Sequence, residues 1–126
     1  MTAIKIDLTA GVVVLEAKIK AKSIATARLV LDTGASCVVL PLKLAQAIGI
    51  KIDPRKTSQT TTASAVETVL EVVIPEISVL GKTAKNVKAI IKDLPPESHV
   101  DGLLGLSFLK NFKLNVDFKK GELFLE

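Results

Sequence analysis

The sequence is poor in the residues that mark several common classes of protein. It has no tryptophan or tyrosine, and only one cysteine and one histidine in 126 residues. The single cysteine, Cys37, allows no internal disulfide, which favours a reducing compartment. Cysteine pairs, histidine pairs and clusters of carboxylates are also missing, so we expect no metal and no other cofactor.

Arginine is scarce as well, although the formal net charge is +4. Arg28 and Arg55 are the only arginines, and the lysines are scattered among apolar residues. A nucleic-acid surface needs clustered positive charge and aromatic rings for stacking. We therefore predict no nucleic-acid partner.

Long hydrophobic runs are absent, which excludes a membrane-spanning helix at the level of the sequence. The N-terminal residues lack the charged and apolar regions of a signal peptide. We accordingly predict no membrane partner and a cytoplasmic location. With 48% apolar and 24% charged residues, the composition is globular, and the length indicates a single domain over residues 1–126.

β-strand patterns dominate what is present. Apolar and polar residues alternate with period two from Val13 to Lys20 after a first strand expected at Ile4–Leu8, and 27–31 is an apolar run typical of a buried strand. Residues 57–74 indicate a β-hairpin with its turn at 63–65, and Pro75 should end the second strand.

Two short helices interrupt this pattern, and a hairpin over 114–125 closes the chain. The first helix is predicted between Pro41 and Gly49. The second should follow Gly105, with Leu106, Leu109 and Phe112 on one face. The fold class is therefore mainly β, with two short helices.

Asp32-Thr33-Gly34 is the segment with the clearest chemical potential. It lies where an apolar strand meets a turn, and glycine permits tight backbone geometry there. Two carboxylates held about 3 Å apart share one proton, so that one polarises a carbonyl while the other activates water. The remaining aspartates lack this context; they are Asp7, Asp53, Asp93, Asp101 and Asp117. A second copy of the chain would have to supply the second carboxylate.

The segment from Leu29 to Ser36 resembles the active-site motif of retroviral-type (retropepsin-like) aspartic proteases. Leu103-Leu104-Gly105 followed by a helix is similar to the second signature of that family. The hairpin between the two motifs is in the position of the family's flap. The chain after the second helix forms a hairpin, more like the protease domain of the eukaryotic Ddi proteins and of small prokaryotic relatives.

The resemblance implies a closed, barrel-like β domain of one lobe that is active as a homodimer on peptide or protein substrates. It implies Asp32 as the catalytic residue, a Thr33 bond across the two-fold axis, and a substrate main-chain contact at Gly34. Ala35 and Ser36 complete the supporting loop. The flap would be formed by Thr62, Ala63, Ser64 and Ala65.

Two features depart from the family. The tip at residues 61–65 has no glycine, and Leu106 stands where retroviral enzymes have an arginine. A second interpretation therefore remains open, in which the dimer binds peptides without cleaving them efficiently. Apolar residues would line the specificity pockets in either case; we expect Val30, Val38, Ile90 and Leu103.

Other residues have simpler interpretations. Asp32-Thr33-Gly34 taken alone could be an ordinary turn. Ser36 could orient substrate or only cap that turn. Cys37 is interpreted as a packed thiol and His99 as a loop residue, because neither has an evident catalytic partner.

Overall fold

The alternation read from the sequence becomes a mainly β structure. The computed structural model describes residues 3–61 and 63–126. The strands are β1 Ala3–Lys5, β2 Val14–Lys20, β3 Ile24–Leu31, β4 Val38–Leu40, β5 Thr57–Thr61, β6 Val66–Val79, β7 Lys82–Ile91, β8 Gly102–Leu104, β9 Leu114–Asp117 and β10 Glu122–Leu125. The helices are α1 Leu42–Ile48 and α2 Leu106–Leu109, with a 3₁₀ turn at Pro96–Ser98. The predicted fold class is confirmed.

Six strands close into a barrel in the order β2-β3-β8-β4-β7-β6, because β2 also pairs with β6. Period-two alternation explains which side chains fill it. Leu15, Ala17 and Ile19 are at most 1% exposed, whereas the intervening residues of β2 face solvent. Among residues 3–61 and 63–126, strand β5 pairs with β6 alone, and it extends the sheet beyond the barrel.

Strand β6 corrects one expectation, since it continues through Pro75 to Val79. The proline falls between the two ladders that share one edge of β6. Its N-terminal part pairs with β5 as far as Leu70, and its C-terminal part pairs with β2 from Glu76. Strand β7 pairs with β6 on the other edge from Leu70 to Val79, but its register skips Pro75. The missing N–H of the proline therefore removes no pairing from any of the three ladders.

Helix α1 forms as predicted. The backbone N–H of Leu42 donates to Asp93 Oδ1 at 3.1 Å, and Gly49 ends the helix with φ +78°. Helix α2 is shorter than expected and buries Phe108 and Leu109. The predicted apolar face is partly correct, because Leu109 lies in the core and Phe112 packs against it, whereas Leu106 is only half-buried. Phe112 follows the helix and packs its ring 5.0 Å from that of Phe108.

The two ends of the chain meet in a separate three-stranded sheet of order β1-β10-β9. Leu123 and Leu125 of the central strand point into the core and are fully buried. Strand β1 ends at Lys5, before the expected Leu8. Within this sheet, the strands with one unpaired edge are β1 and β9.

Candidate functional site

Asp32 follows β3 directly, and backbone groups hold its loop. Its N–H donates to Leu104 O at 3.1 Å, and the N–H of Ala35 donates to Asp32 O at 3.2 Å. The N–H of Gly34 donates to the carboxylate at 2.9 Å from Oδ1. A Cβ at Gly34 would lie 3.1 Å from the same oxygen. Glycine therefore lets the loop fold tightly around a carboxylate whose orientation is fixed.

The two sequence signatures pack against each other behind this loop. Strand β8 pairs in parallel with β3, so Leu104 lies beside Leu31. A Cβ on Gly102 would overlap the carbonyl of Val39, and one on Gly105 would overlap the carbonyl of Cys37. The second signature needs glycine because two backbone segments touch there.

Ser107 joins three elements at this junction, and sequence reasoning did not identify it. Its hydroxyl donates to Lys88 O at 2.7 Å and accepts the N–H of Val38 at 2.9 Å. Its own N–H donates to Ser36 O at 3.0 Å. Ser107 thereby holds α2 against β4 and β7. A serine after a leucine-rich motif has no sequence signature that would reveal this role.

A cleft of about 490 Å³ opens over Asp32. Its lining residues come from the Asp32 loop, from β4, β5, β7 and β8, and from the loop after β7. They are Asp32, Gly34, Ala35, Ser36, Cys37, Val39, Gln59, Thr60, Thr61, Ile90, Lys92, Leu94 and Leu103. Both signatures and one arm of the hairpin thus meet at one concave surface.

The expected specificity residues are partly correct. Ile90 and Leu103 line the cleft, but Val38 is fully buried on the opposite side of β4, in the main core. Its neighbour Val39 faces the cleft instead. Val30 is absent from the cleft lining among the residues that the structure describes. Since adjacent strand residues face opposite sides, a shift of one position exchanges core and cleft.

The hairpin expected to be the flap is present, with Thr61 opposite Val66. Thr60 and Thr61 lie on the cleft, whereas Ala63, Ser64 and Ala65 are exposed at the tip. Thr62 lies outside the described residues. The arm of the hairpin therefore reaches the Asp32 cleft, and the part played by its tip stays a prediction.

A second groove lies on the other side of the Asp32 loop. Thr33 and Leu31 line it together with apolar residues from both chain ends. Leu8, Val12 and Phe118 are part of this lining, and each is more than half exposed. Asp32 and Gly34 face the cleft while Leu31 and Thr33 face this apolar groove, so the alternation of β3 continues into the loop.

Comparison with known proteins agrees with this geometry. The sequence pattern of the aspartyl protease family matches residues 15–108, from β2 to α2. The chain belongs to the aspartyl protease family. A retropepsin-like aspartic protease from Rickettsia conorii has a similar crystal structure, with a TM-score of 0.66 and 26% sequence identity. The match covers 96% of this chain and 94% of that one. None of the curated protein sequences matches.

The retropepsin-like assignment is thereby confirmed. The finer likeness to Ddi proteins stays a prediction. Within residues 3–61 and 63–126, no helix is long and apolar enough to cross a membrane. In the same part of the chain, no group of three or more His, Cys, Asp or Glu side chains could hold a metal ion.

One charged pair of this retropepsin-like cleft was missed by sequence reasoning. Lys92 Nζ lies 2.9 Å from Glu67 Oε2, and the pair joins the residue after β7 to β6, the second strand of the hairpin. Lys92 lines the cleft beside Leu94 and Ile90. Because β7 alternates, Lys92 shares the face of Ile90, which is the signal that could have indicated it.

Cys37 and His99 have the environments expected of them. Cys37 is 9% exposed and packs with Val39 and Ile90, and the Ser36 hydroxyl lies 3.8 Å from its Sγ. His99 is exposed in the loop before β8, and its carbonyl accepts a bond from Arg28 Nη1 at 3.3 Å. Neither arrangement resembles a nucleophile with its base.

Proposed function

We propose that this protein is an aspartic endopeptidase that works as a homodimer, with one Asp32 from each chain activating water against a peptide bond. The observation that carries the proposal is the Asp32 carboxylate, oriented by the Gly34 N–H at 2.9 Å and directed to an open cleft. A cleft with convergent polar groups is the usual place for a ligand.

The proposed chemistry needs two carboxylates. Asp32 is the one acidic side chain among the described residues that line the cleft. Two such carboxylates a few ångströms apart would hold one shared proton. The protonated one would polarise the scissile carbonyl, and the ionised one would accept a proton from the attacking water. A second chain is the simplest source of the second carboxylate.

The apolar groove supports association of two chains through this side of the Asp32 loop. Phe118 is 65% exposed, Leu8 55% and Val12 52%, and all three lie in the groove that contains Thr33. Clustered exposed apolar residues of this kind are typical of protein interfaces. Thr33 would then meet its copy near the two-fold axis.

The terminal strand near Leu123 to Leu125 has no free edge for a partner chain. Strand β10 is paired on both sides, and both leucines are buried within the chain. The free edges of this sheet belong to β1 and β9. We therefore place the interface at the apolar groove and at these two edges.

Substrate would lie along the cleft between the Asp32 loop and the hairpin. Gly34 would contact the substrate main chain, and residues 62–65 would act as the flap. Val39, Ile90 and Leu103 form an apolar surface suited to hydrophobic side chains. The single cysteine continues to support a reducing, cytoplasmic location.

A dimeric peptide-binding module is the second candidate. The observation that favours it is the exposed, glycine-free tip at Ala63, Ser64 and Ala65. Without glycine the tip has less access to positive φ, so closure over a substrate would be more restricted.

A cleavage assay on a mixed-sequence peptide library separates the two candidates. The wild-type chain should cleave peptides and be inhibited by a statine-type transition-state analogue, whereas Asp32→Asn should bind peptides without cleaving them. Wild-type and mutant chains mixed as dimers should also be inactive, because each site needs both carboxylates. Cleavage by Asp32→Asn at the wild-type rate would refute the mechanism.

Sedimentation equilibrium at micromolar concentration tests the assembly independently. A dimer is expected. A chain that remains monomeric, with and without a peptide inhibitor, would contradict both the dimer and the shared-proton mechanism.

A further inference from the structure

Lys92 gives the Asp32 cleft a positive charge that the proposed reaction does not use. Among the described residues that line the cleft, it is the one cation, and its surroundings include the apolar side chains of Ile90 and Leu94. Its backbone N–H donates to Leu40 O at 3.0 Å, which fixes the start of the side chain against β4. The backbone of Lys92 is thus held at a defined point of the cleft wall.

The Lys92 ammonium group is already paired with a carboxylate. Glu67 Oε2 lies 2.9 Å from Lys92 Nζ, and the two side chains are 45% and 30% exposed respectively. Glu67 belongs to β6, the second strand of the hairpin. It pairs there with Thr60 of β5, which lines the cleft. This contact shows that the Lys92 ammonium group can pair with a carboxylate at the edge of the cleft.

The attachment of Glu67 is weaker than that of Lys92. The β6–β7 ladder ends at the pair Leu70–Ile91, so Glu67 lies beyond the last backbone pairing between the hairpin and the barrel. An ion pair with this degree of exposure contributes little to stability. A substrate carboxylate could therefore replace Glu67 without leaving Lys92 unpaired, and Glu67 would be solvated as the arm moved.

We propose that Lys92 is a specificity-determining residue that accepts an acidic side chain of the substrate, with Glu67 occupying its place when no substrate is bound. The inference rests on the proposed function, because it assumes that peptides bind in this cleft. It predicts a substrate class: peptides with apolar residues near the scissile bond and one glutamate or aspartate within reach of Lys92.

The test uses matched peptides that carry Glu or Gln at one position, scanned along the sequence around the scissile bond. Binding is measured by fluorescence anisotropy with the Asp32→Asn chain, and kcat/KM with the wild-type chain. At one position, Glu should be favoured over Gln roughly threefold, the ratio expected for one partly exposed ion pair. Lys92→Met should abolish that preference, Lys92→Arg should keep it, and Glu67→Gln should strengthen acidic-peptide binding.

The Lys88–Glu71 pair provides the matched control. Its charged atoms lie 3.1 Å apart and join β7 to β6, and Glu71 lines a different groove with Lys51 and Asp53. Lys88→Met should leave the Glu preference unchanged. A preference that persists in Lys92→Met, or that no position shows in wild type, overturns the proposal. Failure of the proposed function would look different. Wild type would then cleave no peptide, while the anisotropy measurement would still show whether Lys92 favours Glu over Gln.

Discussion

The two grooves beside the Asp32 loop are similar in size but different in chemistry. The cleft on one side combines a carboxylate, an ammonium and three polar residues of the hairpin arm with an apolar wall. The groove on the other side is mostly apolar and contains side chains from both chain ends, including the exposed Phe118.

This difference assigns separate tasks to the two faces of one loop. Polar groups that fix the orientation of a ligand are useful where substrates exchange. A wide apolar surface is better suited to a long-lived contact, because burying it stabilises the complex without directional bonds. Alternation along residues 31–34 lets one short segment serve both faces.

Gly105→Ala should have the largest effect, because it disturbs the wall between the two grooves. The new methyl group would overlap the carbonyl of Cys37, and the surrounding segments are backbone that cannot move aside easily. We expect a loss of about 3 kcal/mol in the free energy of unfolding, measured by urea denaturation. Gly11→Ala is the control, since nothing lies within 4 Å of its added Cβ. Equal stability of the two variants would contradict the packing described here.

Deleting residues 63–65 should affect the cleft alone. Strand β6 retains its pairing with β7 and β2, so the free energy of unfolding should change by less than about 1 kcal/mol. Peptide cleavage should be lost if the hairpin is the flap, while the dimer persists in sedimentation. Undiminished cleavage would show that this hairpin does not cover the substrate.

Phe118→Asp should affect the apolar groove alone. Placing a charge in the proposed interface should raise the dimer dissociation constant roughly hundredfold. Activity should fall in dilute solution and recover as the protein concentration rises. Ile24→Asp is the control, because Ile24 is also more than half exposed but lies outside this groove. The same loss of dimer in both variants would indicate a general effect of charge.

A change of pH should have the smallest effect of these tests. The proposed reaction needs one protonated and one ionised carboxyl group, so kcat/KM should fall when both are protonated and again when both are ionised. An optimum above about pH 8 would point to chemistry other than water activated by carboxylates. Phe118→Asp, assayed at a protein concentration high enough to keep it dimeric, should keep the wild-type pH profile.

The sequence predicted the elements that depend on local patterns. Period two predicted β2, and the family resemblance carried by Asp32-Thr33-Gly34 and Leu103-Leu104-Gly105 implied the barrel and the site loop. Pro41 and Gly49 predicted the two ends of the first helix. These signals are local because residue type, turn geometry and burial act over a few neighbouring positions.

Other features depended on pairing between distant segments. Residues 37–40 are all buried, so this run has no alternation that could show Val39, and not Val38, facing the cleft. The change from β5 to β2 along one edge of β6 and the Lys92–Glu67 contact were not visible in the sequence either. Each is set by which strands lie side by side and in what register.

The amino-acid sequence by itself therefore determined a β domain with one aspartate at the end of a buried strand. Only the tertiary structure decided what surrounds that aspartate. Parallel pairing of β3 with β8 and close backbone contact at Gly102 and Gly105 bring the two motifs together. Closure of the barrel then separates a polar cleft from an apolar groove, because register across strands, which no local pattern encodes, determines which side chains share a face.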